Sequence, residues 1–250
     1  MTKWYEKLEE YESSYRDKPG DGPLGKEYSQ YGEEGVLKRI FENITPSHKY
    51  AVELGAVNGI LGSTTAWLEE SKGWDRLMIE GNPKYCKGAV NHEWITAENI
   101  NELFDKYKVP VDFDFLSLDI DGFDYWVWKS ILECNKHIPK VVLVEYNPNF
   151  ELTEFKAITY NIDYKKTRTN YYGASLAAYK KLGESNGYKL VHIMKTHDPK
   201  KEKCGRNALF IKSEYLPEDF EYDTSHIFKW LEKYKKVDKM AVWKKWVDVS

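Results

Sequence analysis

Apolar runs that end in an acidic residue recur along the middle of the chain. Four such runs end at Glu53, Glu80, Asp119 and Glu145. Short runs rich in aliphatic and β-branched residues, bounded by turn-forming residues, predict buried strands. Segments with apolar residues three or four positions apart separate these runs, and this spacing predicts helices. Alternating strands and helices predict an α/β fold, with a doubly wound sheet covered by helices on both faces.

The remaining apolar segments extend this pattern. Trp94 and Ile95 predict a short third strand, and Thr96 is expected to cap the helix that follows. Residues 188–194 and 207–212 predict a closing pair of strands in a hairpin, which departs from a plain dinucleotide-binding fold. The predicted helices cover residues 3–16, 29–41, 64–70, 97–107, 126–132 and 176–182.

The pattern divides the chain into three parts. Residues 1–27 predict a helix and a turn-rich linker, and residues 28–212 the main domain. Residues 213–250 form a Trp-rich tail, expected to make two short helices that pack on the domain or on a second subunit. The basic character of this tail is consistent with a solvated face or with an anionic partner. Residues 150–169 are polar and irregular, which favours a lid or substrate loop.

Candidate chemistry lies where the predicted strands end. Gly55, Gly59 and Gly62 follow the first strand, and glycine lets a backbone approach a ligand closely. Glu80 lies 25 positions after Gly55, near the spacing at which an acid binds ribose hydroxyls, although a turn carboxylate is the alternative. Asp119 and Asp121 end the next strand, where neighbouring acids repel one another unless cations, donors or solvent relieve them.

Composition and charge limit the function classes. The 250 residues have a formal net charge of −3, so the chain has no overall basic field that would attract nucleic acid, and no nucleic-acid partner is expected. The three cysteines are widely spaced and match neither a disulfide framework nor a metal motif. The first residues lack the apolar core of a signal peptide, and no apolar stretch reaches the ~20 residues of a membrane span. A soluble, cytoplasmic protein is expected.

These residues together resemble the class I S-adenosylmethionine-dependent methyltransferases and, within them, the FkbM-like group. The resemblance covers roughly residues 28–212. It rests on Ser29-Gln30, Val52-Glu-Leu-Gly-Ala-Val-Asn-Gly59, Glu80-Gly-Asn-Pro83, Thr96-Ala-Glu-Asn-Ile100, Leu116-Ser-Leu-Asp-Ile-Asp-Gly122, Val144-Glu-Tyr-Asn-Pro148, Tyr172-Gly-Ala-Ser-Leu176 and Asn207-Ala-Leu-Phe210. The family fold implied is a seven-stranded Rossmann-like sheet of order 3-2-1-4-5-7-6, with strand 7 antiparallel.

The resemblance also implies a cofactor site. Glu53, Gly55 and Gly59 would hold the methionine part of S-adenosylmethionine, Glu80 the ribose, and Asp119 would lie below the sulfonium. The residues expected to complete this site, with the adenine near the last two, are Gln30, Ala56, Gly81, Asn82, Ile95 and Thr96. Val57 fills the middle glycine position of the usual turn, which weakens the pyrophosphate-binding alternative.

The implied reaction is O-methylation of a small molecule or carbohydrate. Asp121, Glu145 or His192 would remove the hydroxyl proton. A second route uses magnesium or calcium held by Asp119, Glu145 and Asn147. Two other classes stay open: a non-catalytic cofactor-binding or assembly module, and a nicotinamide-dependent oxidoreductase. A homo-oligomer formed through the tail is a further expectation.

Overall fold

A computed structural model describes residues 3–16, 28–163, 171–195, 204–224 and 246–250. The turn-rich linker before residue 28 and the tail helices predicted after residue 224 therefore lie outside the described residues, except for the last five positions. The division of the chain into three parts stays a prediction.

The described residues form nine strands in two sheets. The strands are β1 (Tyr50–Leu54), β2 (Asp75–Glu80), β3 (Val90–His92), β4 (Phe115–Leu118), β5 (Val141–Glu145), β6 (Lys156–Ile158), β7 (Tyr188–Lys195), β8 (Cys204–Lys212) and β9 (Trp246–Asp248). The main sheet has the order β3-β2-β1-β4-β5-β8-β7. The first five of these run parallel, and β8 is antiparallel to both β5 and β7. The predicted sheet order and its antiparallel strand are confirmed.

Helices cover both faces of this sheet. They are α1 (Leu8–Arg16), α2 (Glu33–Phe41), α3 (Ala66–Lys72), α4 (Ile100–Lys106), α5 (Asp124–Cys134) and α6 (Leu176–Glu184). α4 begins at Ile100, and the predicted Thr96 cap forms one turn earlier: Thr96 Oγ1 accepts from Asn99 N, Asn99 Oδ1 accepts from Thr96 N, and the Thr96 carbonyl accepts from Ile100 N. Among the described helices, none combines the length and apolarity needed to cross a bilayer.

Neighbouring residues of the central strands enter opposite halves of the core. Val52 and Leu116 belong to one buried cluster, whereas Ala51 and Phe115 belong to the other. This alternation follows from the two-residue period of a strand. Because both faces are buried, the polar groups of the sheet concentrate at the strand ends.

Two short segments differ from the sequence prediction. The third strand is β3, which ends before Trp94, so the strand predicted at Trp94 and Ile95 is wrong. The predicted loop 150–169 contains β6, and β6 pairs antiparallel with β9 at the end of the chain. The last residues of the tail are therefore a strand rather than a helix.

Candidate active site

A cavity of ≈ 570 Å³ opens at the carboxyl edge of the main sheet. It lies above the point where β1 has β2 on one side and β4 on the other, so the strand order reverses there. Open α/β sheets bind ligands at such switch points. Residues at the ends of β1, β2, β4 and β5, with others from β8 and the start of α2, line the cavity.

The turn after β1 is held by Glu53. This side chain is 5% exposed, and its carboxylate accepts hydrogen bonds from Ser63 Oγ at 2.6 Å, Thr64 N at 2.9 Å and Thr65 Oγ1 at 2.6 Å. Both carboxylate oxygens are thus engaged within the protein. Glu53 lines the cavity, but its main contacts fix the shape of the turn.

Gly55 lets β1 and β4 come together beneath the cavity. A Cβ atom at Gly55 would lie 1.8 Å from the backbone oxygen of Asp119, and the residue has a φ of +87°. Only glycine satisfies both demands. Val57 has a φ of 50°, which is strained for a β-branched residue, and its N–H donates to Glu80 Oε2 at 3.0 Å. The strained Val57 backbone is therefore hydrogen-bonded to Glu80, the acid at the end of β2.

Glu80 and Trp94 form one end of the cavity. Glu80 Oε1 accepts a second backbone hydrogen bond, from Asn82 N at 2.7 Å. The Trp94 ring lies against Gly81, where an added Cβ would be 3.0 Å from Trp94 Cε3, yet Trp94 is 55% exposed. Trp94 was not among the predicted site residues. An aromatic residue beside the predicted strand end was the signal that could have identified it.

Three carboxylates meet near the ends of β4 and β5. One oxygen from each of Asp119, Asp121 and Glu145 lies within 4.8 Å of the others. Glu145 is 7% exposed, and its Oε2 has no hydrogen-bond partner among the described residues. Burial, together with the charges of Asp119 and Asp124, raises the pKa of the Glu145 carboxyl. Arg206 Nη1 lies 3.6 Å from Glu145 Oε1 and acts in the opposite direction.

A second buried glutamate lies next to this group. Glu33 is 1% exposed at the start of α2, and its carboxylate accepts from Asn207 Nδ2 at 2.9 Å and from Tyr31 N at 2.8 Å. Burial raises the pKa of Glu33. Asn207 lies directly opposite Glu145 in the β5–β8 pairing. As site residues, Tyr31, Glu33 and Asn207 were not predicted, because their proximity depends on contacts between distant parts of the chain.

Most predicted site residues lie together around the cavity. Those that line it are Gln30, Glu53, Gly55, Ala56, Glu80, Gly81, Asn82, Asp119, Asp121 and Glu145. Gly59 is not among the lining residues; it packs against the Met78 side chain, where an added Cβ would lie 2.5 Å from the sulfur. Ile95 and Thr96 are buried and do not line the cavity either.

His192 and Asn147 are not brought to the cavity. His192 is 3% exposed, and its Nε2 lies 2.6 Å from Glu12 Oε2 on α1. Asn147 is buried, donates to the Tyr172 carbonyl at 3.0 Å and accepts from Asn149. The expected base at His192 and the expected metal ligand at Asn147 are therefore corrected. The oxygen cluster instead contains Asp119, Asp121 and Glu145.

The charge of the cavity is strongly one-sided. Six carboxylate residues line it: Glu33, Glu53, Glu80, Asp119, Asp121 and Glu145. Arg206 is the single basic residue among the described lining residues. A low-dielectric cleft lined by one sign of charge attracts ligands of the opposite sign. The arrangement fits a ligand that carries positive charge.

The sheet order, its antiparallel strand and the cavity at the switch point define a seven-stranded Rossmann-like α/β fold. No protein-family model matches the chain, and no curated protein matches it.

Several solved structures are similar to this chain at low sequence identity. Magnesium protoporphyrin IX methyltransferase from Synechocystis PCC 6803, with bound SAH, is 11% identical, with 84% of this chain and 100% of that chain covered and a TM-score of 0.44. An O-methyltransferase from Bacillus cereus, in complex with SAH, is 12% identical, with coverages of 84% and 90% and a TM-score of 0.44. The N-terminal domain of EvdMO1 with SAH bound is 14% identical, with coverages of 83% and 94% and a TM-score of 0.42. At these values, the fold assignment rests on the strand order and register of the chain itself.

Proposed function

We propose that the protein is an S-adenosylmethionine-dependent methyltransferase that methylates a hydroxyl group of a small molecule or carbohydrate. The observation that carries this proposal is the acidic cavity over the β1–β4 switch point, whose lining among the described residues has six carboxylates and one arginine. S-adenosylmethionine carries a sulfonium and an ammonium group, so its charge complements such a cavity.

The residues of the cavity fit the parts of this cofactor. Glu80 would accept the ribose hydroxyls, and the exposed Trp94 ring beside Gly81 would cover the adenine. Gly55 would form the wall against the methionine part, and Asp119 would face the sulfonium. Because β1 pairs in parallel with both β2 and β4, Glu80 at the end of β2 and Asp119 directly after β4 lie at the same edge of the sheet.

The same cavity is unfavourable for a nicotinamide cofactor. A pyrophosphate requires close approach to a glycine-rich turn and the N–H groups of a helix N-terminus. Val57 occupies that turn, and the six acids would repel the two phosphates. Arg206 is paired with Glu145 near the ends of β5 and β8, away from the turn. The oxidoreductase alternative is therefore disfavoured by charge as well as by sequence.

The proposed chemistry places the base at Glu145. When bound, the cofactor supplies an electrophilic methyl group for in-line displacement. The acceptor oxygen forms the new O–C bond, the C–S electron pair returns to sulfur, and Glu145 Oε2 takes the hydroxyl proton. Glu145 suits this role because it is buried at the cavity wall and its Oε2 accepts no hydrogen bond from the described residues. A carboxyl with a raised pKa is also a stronger base than an ordinary one.

A divalent cation is the alternative way to activate the hydroxyl. The clustered oxygens of Asp119, Asp121 and Glu145 are the hard ligands that magnesium and calcium prefer. A cation held there would polarise the acceptor oxygen and lower its pKa. Loss of transfer in excess chelator, with recovery on adding magnesium or calcium, supports this route. Full activity in excess chelator contradicts the cation route and supports Glu145 as the base.

Calorimetry with S-adenosylmethionine and S-adenosylhomocysteine tests the proposed function. We expect one binding event per chain for each ligand and no binding of reduced nicotinamide cofactor in a parallel fluorescence titration. Absence of heat with both sulfur ligands contradicts the proposal. Binding without methyl transfer to any acceptor supports the non-catalytic module instead.

A further inference from the structure

The two ends of the cavity differ in chemical character. The end beside β2 and β3 has the large exposed side chains Leu61, Tyr85 and Trp94. The end beside β5 and β8 is lined mainly by polar side chains, which include Glu33, Glu145, Arg206 and Asn207. Because the aromatic end is the one next to the ribose acid Glu80, the polar end is left for the methyl acceptor.

Two buried carboxylates, Glu33 and Glu145, line the polar end. Asn207 connects them, since it donates to Glu33 at 2.9 Å and lies opposite Glu145 in the antiparallel pairing. The Glu33 carboxylate accepts from Tyr31 N and Asn207 Nδ2 and makes a further side-chain bond with Ser29, whereas its two oxygens together have about four lone pairs. Glu33 therefore keeps acceptor capacity toward the cavity, as does Glu145 through Oε2.

Ligand charge further restricts the acceptor. Four acids line the polar end, namely Glu33, Asp119, Asp121 and Glu145. The one basic side chain among the described lining residues, Arg206, is close to Glu145. An anionic acceptor would meet a surplus of like charge and find no unengaged cation in this described lining. A simple phenol offers one hydroxyl donor, so it would leave one of the two buried carboxylates without a ligand donor, which costs free energy.

We propose that the methyl acceptor is an uncharged polyol such as a sugar ring, which binds through two neighbouring hydroxyls to Glu145 and to the Glu33–Asn207 pair. This inference rests on the proposed function and specifies its substrate class. The acceptor hydroxyl that hydrogen-bonds to Glu145 gives its proton to Glu145 Oε2. The oxygen of that hydroxyl takes the methyl group, and the C–S electron pair returns to sulfur. The neighbouring acceptor hydroxyl, which hydrogen-bonds to Glu33, keeps its proton and fixes the orientation of the ring. Glu33 is thus a specificity-determining residue.

A labelled-methyl experiment on the full chain tests the substrate class. Isotopically labelled S-adenosylmethionine is supplied with three separate pools: neutral methyl glycosides and inositols, phenols, and hydroxy acids. We expect label in the neutral polyol pool. Label mainly in the phenol or hydroxy-acid pool, or in none while S-adenosylhomocysteine still binds, overturns the inference. If S-adenosylhomocysteine itself does not bind, the proposed function fails at an earlier step.

Glu33→Gln tests the second hydroxyl contact against a matched neighbour. We expect the wild type to discriminate at least about tenfold in kcat/KM between the labelled polyol and its analogue lacking the neighbouring hydroxyl. Glu33→Gln should reduce this ratio to near one without weakening S-adenosylhomocysteine binding. Glu34→Gln is the control, because Glu34 is equally buried on the same helix turn but bonds to Ser29 and does not line the cavity. An unchanged ratio in Glu33→Gln, or an equal loss in Glu34→Gln, contradicts the assignment.

Discussion

Glu53 and Glu145 occupy equivalent positions in the sheet but have opposite surroundings. Each lies at or near the carboxyl end of a parallel strand, and they are 5% and 7% exposed. Glu53 accepts hydrogen bonds from Ser63, Thr64 and Thr65, which engage both its oxygens. Glu145 has one oxygen near Arg206 and one with no hydrogen-bond partner among the described residues.

The difference separates a structural acid from a chemically available one. A carboxylate whose oxygens are satisfied by its own turn stabilises that turn and has little capacity left for a substrate proton. A buried carboxylate without donors is costly to ionise, so its pKa rises and it becomes a stronger base. Burial at a strand end is therefore insufficient to identify a catalytic acid, and the hydrogen-bond partners decide.

The largest effect is expected for Glu145→Gln. Removing the proposed base should reduce kcat by ~10²–10⁴-fold while leaving S-adenosylhomocysteine binding unchanged. Because the raised pKa means that stability is lost as pH rises through it, this variant should be at least as stable as wild type at neutral and alkaline pH. Steady-state kinetics and urea unfolding measure the two effects. Retained kcat would remove Glu145 from the mechanism.

Glu53→Gln should show the reverse profile. An amide cannot accept the full set of hydrogen bonds made by the Glu53 carboxylate, so the free energy of unfolding should fall by about 2–3 kcal/mol. Urea unfolding measures this change at matched pH. Among folded molecules the labelled-methyl kcat should fall far less than in Glu145→Gln. Equal stability losses in the two variants would contradict the assignment of Glu53 as a structural acid and Glu145 as the proposed base.

Glu80→Gln should act mainly on cofactor affinity. Replacing the carboxylate that would accept the ribose hydroxyls is expected to weaken S-adenosylhomocysteine binding ~10–100-fold, with a smaller effect on kcat at saturation. Calorimetry measures the dissociation constant. The control is Glu93→Gln, since Glu93 pairs with Lys106 and Tyr107 and does not line the cavity. An equal change in both variants would argue against a ribose contact.

The smallest effect is a displaced pH profile in Arg206→Met. Arg206 opposes the upward shift of the Glu145 pKa, so its removal should raise that pKa further. Since the ionised carboxylate is the base, kcat should rise with pH in both proteins, with the rise at higher pH in the variant. A pH–rate profile checks this prediction. A rise at the same or lower pH would show that Arg206 does not control Glu145.

The sequence predicted the elements whose signal is local. Apolar runs ending in acids identified β1, β2, β4 and β5, and the closing hairpin identified β7 and β8. The strand order followed from the family resemblance. In contrast, β3 and β6 have three residues each, which is too short for a strand pattern to be recognised in the sequence. β6 also pairs with a segment about 90 positions away, which no local pattern reveals.

In the candidate site, too, the sequence predicted the residues that have a local signal. Strand-end acids and the glycine turn lie around the cavity because parallel strands bring their carboxyl ends to one edge. His192 was misplaced because a strand pattern does not reveal which helix covers the residue, and here α1 supplies Glu12 from 180 positions away. Glu33 and Asn207 meet across 174 positions, a contact that neither local sequence reveals.

A crystal structure of the protein with S-adenosylhomocysteine tests the central assignment most directly. We expect the ribose hydroxyls within hydrogen-bond distance of Glu80, the adenine beside Trp94, and the sulfur directed toward Asp119 and Glu145. A ligand seated outside this cavity, or one whose ribose does not contact Glu80, would contradict the account.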